Sequence, residues 1–455
     1  MSYGRRQVYV GWTVVYNGDE EIPAEFYSSA VSCSKGEEVD VVWTDKSVTT
    51  DRVRSLTCFQ RLNHFPGIDC IARKAQLFHR VMRILKLSEG ARQTTPNVND
   101  HLKPFFPKSF VYPRDSAQIL AYKDTVKPYF IVKPAKSCEG KGILLCKNPV
   151  ERLESVEKSP LYGNCLVQEY VENPLLIDGK KFDLRLYVLL TRVADSSKSG
   201  GLEGIRLFMH QECLVRICAD PYHSPTPSNE HDSTVHLSNY AVNKKTANFV
   251  APSEGEHNDS NKRDSAFMKP FIDAYCAEKG IPHRWDTVWR RIGEAVVLAV
   301  LSGVNVLRRE FVGAGAAHGH RADCSGCFEL MGFDVMFTAN TLQPIVLEIN
   351  HSPSLFCETE TDFRIKQKVV SDALSLVGCR LRKCKTPKEY SEWMTKHAAS
   401  LNKAEDDMIR TGLVGFDQLL PHYIHQTHDA SFDVDWSEND RSVYEAVVAL
   451  AQQLR

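Results

Sequence analysis

Residues 328–350 read FELMGFDVMFTANTLQPIVLEIN, two strand-forming apolar runs around a polar connection near 338–343. Large and β-branched residues at this density build the interior of a sheet, and the polar connection makes the pair a hairpin. With its centre near 341, Asp334 falls opposite Glu348, and Asn350 shares Glu348's face two positions on. Two carboxylates about 4 Å apart repel by roughly 4 kcal/mol at an effective dielectric of about 20. A divalent cation turns that repulsion into binding. Asp, Glu and Asn are hard oxygen donors suited to Mg²⁺, which is held by few protein ligands and completed by phosphates and water. The hairpin is therefore both a core element and a candidate metal clamp of Asp334, Glu348 and Asn350.

A chain of 455 residues is too long for one ordinary core, and two to four packed units are expected. Lys plus Arg number 56 against 57 Asp plus Glu, so no global field draws it to nucleic acid or membrane. An anionic partner must meet a local basic patch. The fourteen cysteines are scattered singly, as at Cys146, Cys165 and Cys276, and the opening MSYGRRQVYVGWTVVYNGDE lacks a signal-peptide core. No stretch approaches the roughly 18 apolar residues of a membrane span. Reduced thiols in a cytoplasmic monomer are the expectation.

The pattern at 70–87, CIARKAQLFHRVMRILKL, predicts one helix with an apolar stripe through Ile71, Ala75, Phe78, Val81, Met82 and Leu85. Its other face, Arg73, Lys74, Arg80, Arg83 and Lys86, is either a solvated surface or one that meets an anion. Residues 129–147, YFIVKPAKSCEGKGILLCK, give a strand ending at Lys133, a loop with Gly140 and Gly142, and a second strand. Apolar β-formers after the glycines exclude a strand-loop-helix phosphate loop, leaving a flap over phosphates or a plain hairpin turn. In KKFDLRLYVLL, Lys181, Asp183 and Arg185 alternate with Phe182, Leu184 and Leu186. Three charges on an inner strand must meet a charged ligand or one another. A core helix is expected over 284–304, and polar mobile loops over 194–204, 220–234 and 251–265. The segment HGHRADCSGC offers His318, His320, Cys324 and Cys327 as a zinc set, against the simpler reading of a reduced glycine-rich loop.

The blocks FPGIDCIARK, FIVKPAKSCEGKGI, VQEYVENPLLIDGKKFDLRLYVL, HLSNYAVNKK, FELMGFDV and PIVLEINHSPSL, spread over about 40–380, resemble the tubulin tyrosine ligase-like amino-acid ligases. His351 after Asn350 makes the likeness strongest to the polyglutamylase branch. The resemblance implies an α/β (α+β) ATP-grasp fold with nucleotide between two sheets. Its units would be an N-terminal domain at 1–112, a central domain with the flap at 113–192, a metal-bearing domain at 193–385 and a helical or partly disordered extension at 386–455. It implies ATP and Mg²⁺ as cofactors, with Lys133, Arg185 and Glu348 catalytic. Lys74, Lys133, Glu139 and Gly140 would meet the phosphates, and Gln168, Glu169, Tyr170 and Val171 the adenine and ribose. Lys181, Phe182, Asp183, Ser238 and Asn239 would complete the nucleotide site. Arg216, Tyr240, Lys262 and Glu139 would hold the incoming amino acid. The implied partners are acidic tubulin C-terminal tails, microtubules and free L-glutamate, in the cytoskeleton and in the cilium or flagellum. Glu139 stands where relatives carry Gln or Arg, and Ala241 replaces a common Ser; both departures bear on amino-acid and acceptor choice. The acidic DASFDVDWSEND near the end leaves lattice engagement to the basic helix at 70–87. Sister ligases adding glycine or tyrosine, and a catalytically silent tubulin-binding protein, are the alternatives.

Overall fold

The computed structural model describes residues 14–17, 41–44, 48–56, 60–91, 97–135, 137, 140–156, 159–193, 202–251, 260–315, 326–378, 386–421, 423 and 438–454. Its strands are β1 (Val14–Asn17), β2 (Val41–Thr44), β3 (Arg61–Asn63), β4 (Ser109–Tyr112), β5 (Phe130–Pro134), β6 (Leu144–Cys146), β7 (Cys165–Glu169), β8 (Leu176–Ile177), β9 (Lys180–Val193), β10 (Ile205–His210), β11 (Leu214–Ile217), β12 (Lys262–Asp264), β13 (Cys327–Phe337), β14 (Pro344–Asn350) and β15 (Phe416–Leu420). They make two sheets. The large one runs β1-β2-β3-β13-β9-β10-β15, with β8, β11, β12 and β14 attached, and the small one runs β4-β7-β5-β6. This is the mixed α/β architecture expected.

β9 organises the large sheet because its fourteen residues are patterned differently on each face. Leu184, Leu186, Val188 and Leu190 enter a core shared with the helix Trp285–Leu301, which is the core helix expected at 284–304. Tyr187 and Leu189 enter a second core beneath the helix Glu360–Gly378. Full burial of each such side chain contributes about 1.5–3 kcal/mol before entropy is counted. On this second face the first half of β9 is charged, with Lys181, Asp183 and Arg185. A cleft lies at that charged end.

β13 and β14 form the predicted hairpin, with Asp334 opposite Glu348 and Gly332 opposite Asn350. A Cβ on Gly332 would lie 3.0 Å from both Arg185 Cδ and Pro353 Cβ. The missing side chain gives Arg185 its route to Asp334. β5 and β6 pair antiparallel, so the strand-loop-strand reading of 129–147 holds. Gly140 and Gly142 sit at φ +77° and +70°, a left-handed backbone that glycine adopts without steric cost.

Two expectations change. The helix at 70–87 is two helices, Asp69–Ala72 and Lys74–Gly90, because Arg73 is extended at φ −80°, ψ 120°. The break turns Lys74 into the first residue of a new helix. Within 251–265, Lys262–Asp264 is a buried strand paired with β11, since that edge needs a hydrogen-bonding partner. β9, assigned with 113–192, pairs with β13, β10, β11 and β8 in the large sheet, and β15 of 386–455 pairs with β10. Among the described residues no helix is long and apolar enough to cross a membrane. Cys146 and Cys165 are buried free thiols whose pKa values burial pushes up to about 12 and about 11.

Candidate functional site

Between the two sheets lies a cleft that is partly open to solvent. Lys133 enters it from β5, and Gln168, Glu169, Tyr170 and Val171 from β7 and the residues after it. Lys181 and Asp183 come from β9, Asp334 and Glu348 from the hairpin. Lys74, Gly140, Ser238 and Asn239 close the sides. Thirteen residues predicted from sequence thus line one cavity.

Lys133 bridges the sheets. Its Nζ donates to Gln168 Oε1 at 2.9 Å and to the Leu347 carbonyl at 3.4 Å. Burial pushes its pKa down to about 8; Glu348 opposes the shift, and Lys74 and Lys181 add to it. Lys74 is held 3.0 Å from Glu348 Oε2 and donates to the Ser137 carbonyl at 3.3 Å, tying helix, flap and hairpin together. A cation at a helix N-terminus opposes the macrodipole. The position is electrostatically reasonable where anions gather, and Glu348 is the anion present.

Beneath the cleft four charges alternate. Arg185 Nε lies 2.6 Å from Asp334 Oδ1, and Arg216 Nη2 lies 2.8 Å from Asp334 Oδ2. Arg216 also grips Asp183 with two donors at 2.6 and 2.7 Å, and Ser238 Oγ donates to Asp183. Burial alone would raise the Asp334 pKa, but the two guanidiniums hold it well below the usual carboxylate range. The repulsion expected of a bare Asp334–Glu348 pair is therefore offset within the chain, by Arg185 and Arg216 on one side and Lys74 on the other. Asn350 Nδ2 donates to Glu348 Oε1 at 3.2 Å, which places all three oxygen-bearing side chains along the end of the hairpin. The donor set fits Mg²⁺ in type, and the balancing cations can turn to incoming phosphates.

Several predicted residues lie elsewhere. Phe182 points to the opposite face of β9 and is buried in the core, so its side chain is no nucleotide contact. Arg185 and Arg216 stand behind the carboxylates that line the cleft. Tyr240 and Lys262 form a neighbouring cluster: Lys262 Nζ is 3.9 Å from the Tyr240 ring centroid and 2.7 Å from Asp362 Oδ2. Glu358, 2.7 Å from Lys244, also hydrogen-bonds Tyr240, and burial together with Glu358 raises the tyrosine's pKa. Glu139 lies outside the described residues, as do His318, His320 and Cys324 of the zinc reading. Cys327 opens β13 and is buried.

Sequence reasoning missed His236, Glu358 and Asp362, whose partners are distant in the chain. His236 Nδ1 is 3.0 Å from Tyr170 Oη, and its carbonyl accepts from Lys181 Nζ at 3.0 Å. It also missed the support of His351. The ring of His351 meets that of His64 edge-on at 5.2 Å, and its Nδ1 lies 3.0 Å from Ser352 Oγ. His64 spans Glu329 Oε1 and the Thr44 carbonyl, each at 2.7 Å. His64, Glu329 and His351 present ligand atoms within 4.8 Å of one another. Both ring nitrogens of His64 already face oxygen acceptors within the chain.

The profile described as the tubulin-tyrosine ligase family matches residues 52–387. A tubulin polyglutamylase ttll6 from Danio rerio is 35% identical over 76% of this chain and 39% of its own length. Tubulin polyglutamylase TTLL6 from Homo sapiens is 31% identical over 78% of this chain and 36% of its own length. A probable beta-tubulin polyglutamylase from Tetrahymena thermophila is 30% identical over 77% and 26% respectively. The chain therefore spans about two-fifths or less of these relatives. With a matching profile over most of its length and the family's charged blocks gathered into one cleft, this chain belongs to the tubulin-tyrosine ligase family.

Proposed function

We propose that the protein is an ATP-dependent tubulin polyglutamylase that ligates glutamate to acidic tubulin C-terminal tails. The observation that carries this reading is the convergence of Lys74, Lys133, Asp334 and Glu348, from both sheets, on one cleft. Cations and hard oxygen donors at that spacing suit a metal–triphosphate complex. The relatives' names supply the reaction class. In this reading the adenine and ribose lie along Gln168–Val171, and Lys74, Lys133 and the flap at Gly140 take the phosphates. Asp334, Glu348 and Asn350 would hold Mg²⁺, which when bound offsets negative charge on the phosphates.

The reaction in this reading has two stages. The acceptor carboxylate takes the γ-phosphoryl group and becomes an acyl phosphate, with ADP as leaving group. The amine of free glutamate then attacks the acyl carbon, phosphate departs, and an amide bond forms as the amine loses a proton. No covalent enzyme nucleophile is needed; the chain positions the reactants and balances charge. Arg216, Tyr240 and Lys262 are assigned to the incoming amino acid, and Lys181, Asp183, Ser238 and Asn239 to the nucleotide. The expected setting is the cytoskeleton, including ciliary microtubules, with the enzyme acting as a monomer.

The test incubates the purified protein with Mg-ATP and tubulin, and with glutamate, glycine and tyrosine in separate reactions, then weighs the tails by mass spectrometry. Tails extended by glutamate alone support the reading. Extension by glycine or tyrosine assigns a sister ligase, and unmodified tails bound by the protein assign a silent binder.

A further inference from the structure

Beside the nucleotide cleft three lysines meet two carboxylates. Lys262 and Lys366 share Asp362, at 2.7 and 3.5 Å, and Lys244 lies 2.7 Å from Glu358. Tyr240 adjoins both groups. Its ring centroid is 3.9 Å from Lys262 Nζ and 5.2 Å from Lys244 Nζ, and its hydroxyl donates to Glu358. Lys244 follows the short helix Tyr240–Asn243, and Glu358 comes just before the helix Glu360–Gly378. Their pair therefore ties the segment after Ser238 and Asn239 to the segment after β14. The flap rests on the same short helix, since a Cβ on Gly140 would lie 3.0 Å from Val242 Cγ2 and 3.2 Å from Asn239 Oδ1. The cluster thus adjoins the end of the cleft assigned to the phosphates, where the amine must attack.

The two groups differ in how easily they part. The side chains of Lys262 and Asp362 are 6% and 1% exposed, and those of Lys244 and Glu358 are 39% and 32% exposed. Parting the first pair strands a charge in the interior, whereas the second can exchange partners at little cost. Glu358 is an anion in this setting, because hydrogen bonds from Lys244 and Tyr240 hold its carboxyl below the usual range. It shows Lys244 and Tyr240 a glutamate side-chain carboxylate, the group that glycine and tyrosine lack. Three lysines against two carboxylates leave one positive charge over. That charge suits the α-carboxylate of any amino acid, so it cannot select among them. We propose that Lys244 and the Tyr240 hydroxyl select the side-chain carboxylate of the incoming amino acid, and that Glu358 is its resident stand-in, turned out to solvent when glutamate binds. The proposal rests on the ligase reading, in which Tyr240 and Lys262 hold the incoming amino acid. An amino acid without a second carboxylate cannot replace Glu358 on Lys244, so the closed pair discriminates against it.

The experiment titrates L-glutamate, and its neutral isostere L-glutamine, into the full chain saturated with Mg²⁺ and a non-hydrolysable ATP analogue, and reads binding by calorimetry. Lys244→Met and Glu358→Gln break the same ion pair from its two ends. If the carboxylates compete, the two variants move in opposite directions. Lys244→Met weakens glutamate binding about tenfold or more, toward the level of glutamine, because a charged hydrogen bond is lost. Glu358→Gln tightens glutamate binding severalfold, because the competitor is gone. Glutamine binding and nucleotide affinity hold in both, and thermal melts close to wild type check that these exposed substitutions leave the fold intact. Weaker glutamate binding in both variants overturns the proposal and makes the pair a structural tie. Equal loss for glutamate and glutamine in Lys244→Met also overturns it. In either case glutamate still binds the wild type, so the ligase reading stands. A wild-type protein that binds glycine or tyrosine in place of glutamate overturns that reading and the proposal together.

Discussion

Replacing Lys181 with methionine separates the two effects of a buried cation, one on stability and one on ligand binding. Lys181 Nζ donates to Tyr170 Oη and to the His236 carbonyl, each at 3.0 Å, and sits 4.3 Å from the Tyr170 ring centroid. Burial pushes its pKa from 10.5 down to about 8, against the opposing pull of Cys218 and Asp183. A folded pKa below the unfolded one means that the unfolded chain keeps the proton over a wider range. Wild-type stability must therefore rise with pH between about 8 and 10.5 through this group. Integrating the two titrations from pH 7 to pH 9.5 gives a gain of about 2 kcal/mol. Lys181→Met has no such titration. Whatever constant difference the lost hydrogen bonds impose, the variant's stability relative to wild type falls by about 2 kcal/mol over that interval. Urea denaturation of both proteins at both pH values reads this directly. A gap that is constant with pH, or that moves the other way, refutes the reasoning. ATP binding to the wild type should weaken over the same interval, as the cation in the cleft is lost.

Glu348→Gln should abolish ligation and leave cooperative unfolding intact, since the ion pair it breaks with Lys74 is partly exposed and changes stability by about 1 kcal/mol or less; near-normal turnover would remove the metal assignment. Arg216→Lys should raise the KM for free glutamate with the KM for ATP unchanged, and a selective loss of ATP affinity would count against that role. Arg216→Ala leaves the buried Asp183 carboxylate without its guanidinium partner while Arg185 still holds Asp334, and should cost about 3–5 kcal/mol in a denaturant titration. Gly142→Ala places a Cβ 2.6 Å from Leu161 Cδ2, the end of an exposed side chain that can turn away, but at φ +70° the added side chain strains the flap's left-handed backbone. Its expected signature is an ATP KM raised severalfold with global stability lowered by about 1 kcal/mol.

What could be read from sequence was set by period and local pairing. The hairpin register, with Asp334 across from Glu348, followed from where two apolar runs met a polar turn. The alternation of β9 put Lys181, Asp183 and Arg185 on one face for the same reason. What could not be read depended on contacts between distant segments. Arg216 on β11 reaches Asp334 on β13 because both flank β9, and no spacing within either strand reveals that. The break at Arg73 was hidden because an apolar stripe continues in register across it, from Ile71 to Leu77 and Phe78. Lys262 read as part of a polar loop, yet it is a buried strand residue whose charge is met by Asp362, a hundred positions later.

In the proposed reaction this cleft uses ATP to activate an acceptor carboxylate for attack by glutamate. Supplying an acidic acceptor peptide whose carboxylate oxygens carry ¹⁸O, with Mg-ATP and glutamate, tests it most directly. One labelled oxygen is expected in the released phosphate for each amide bond formed, because the acyl phosphate hands an acceptor oxygen to phosphate as it opens. Bond formation with unlabelled phosphate, or ATP hydrolysis without any bond, would contradict it.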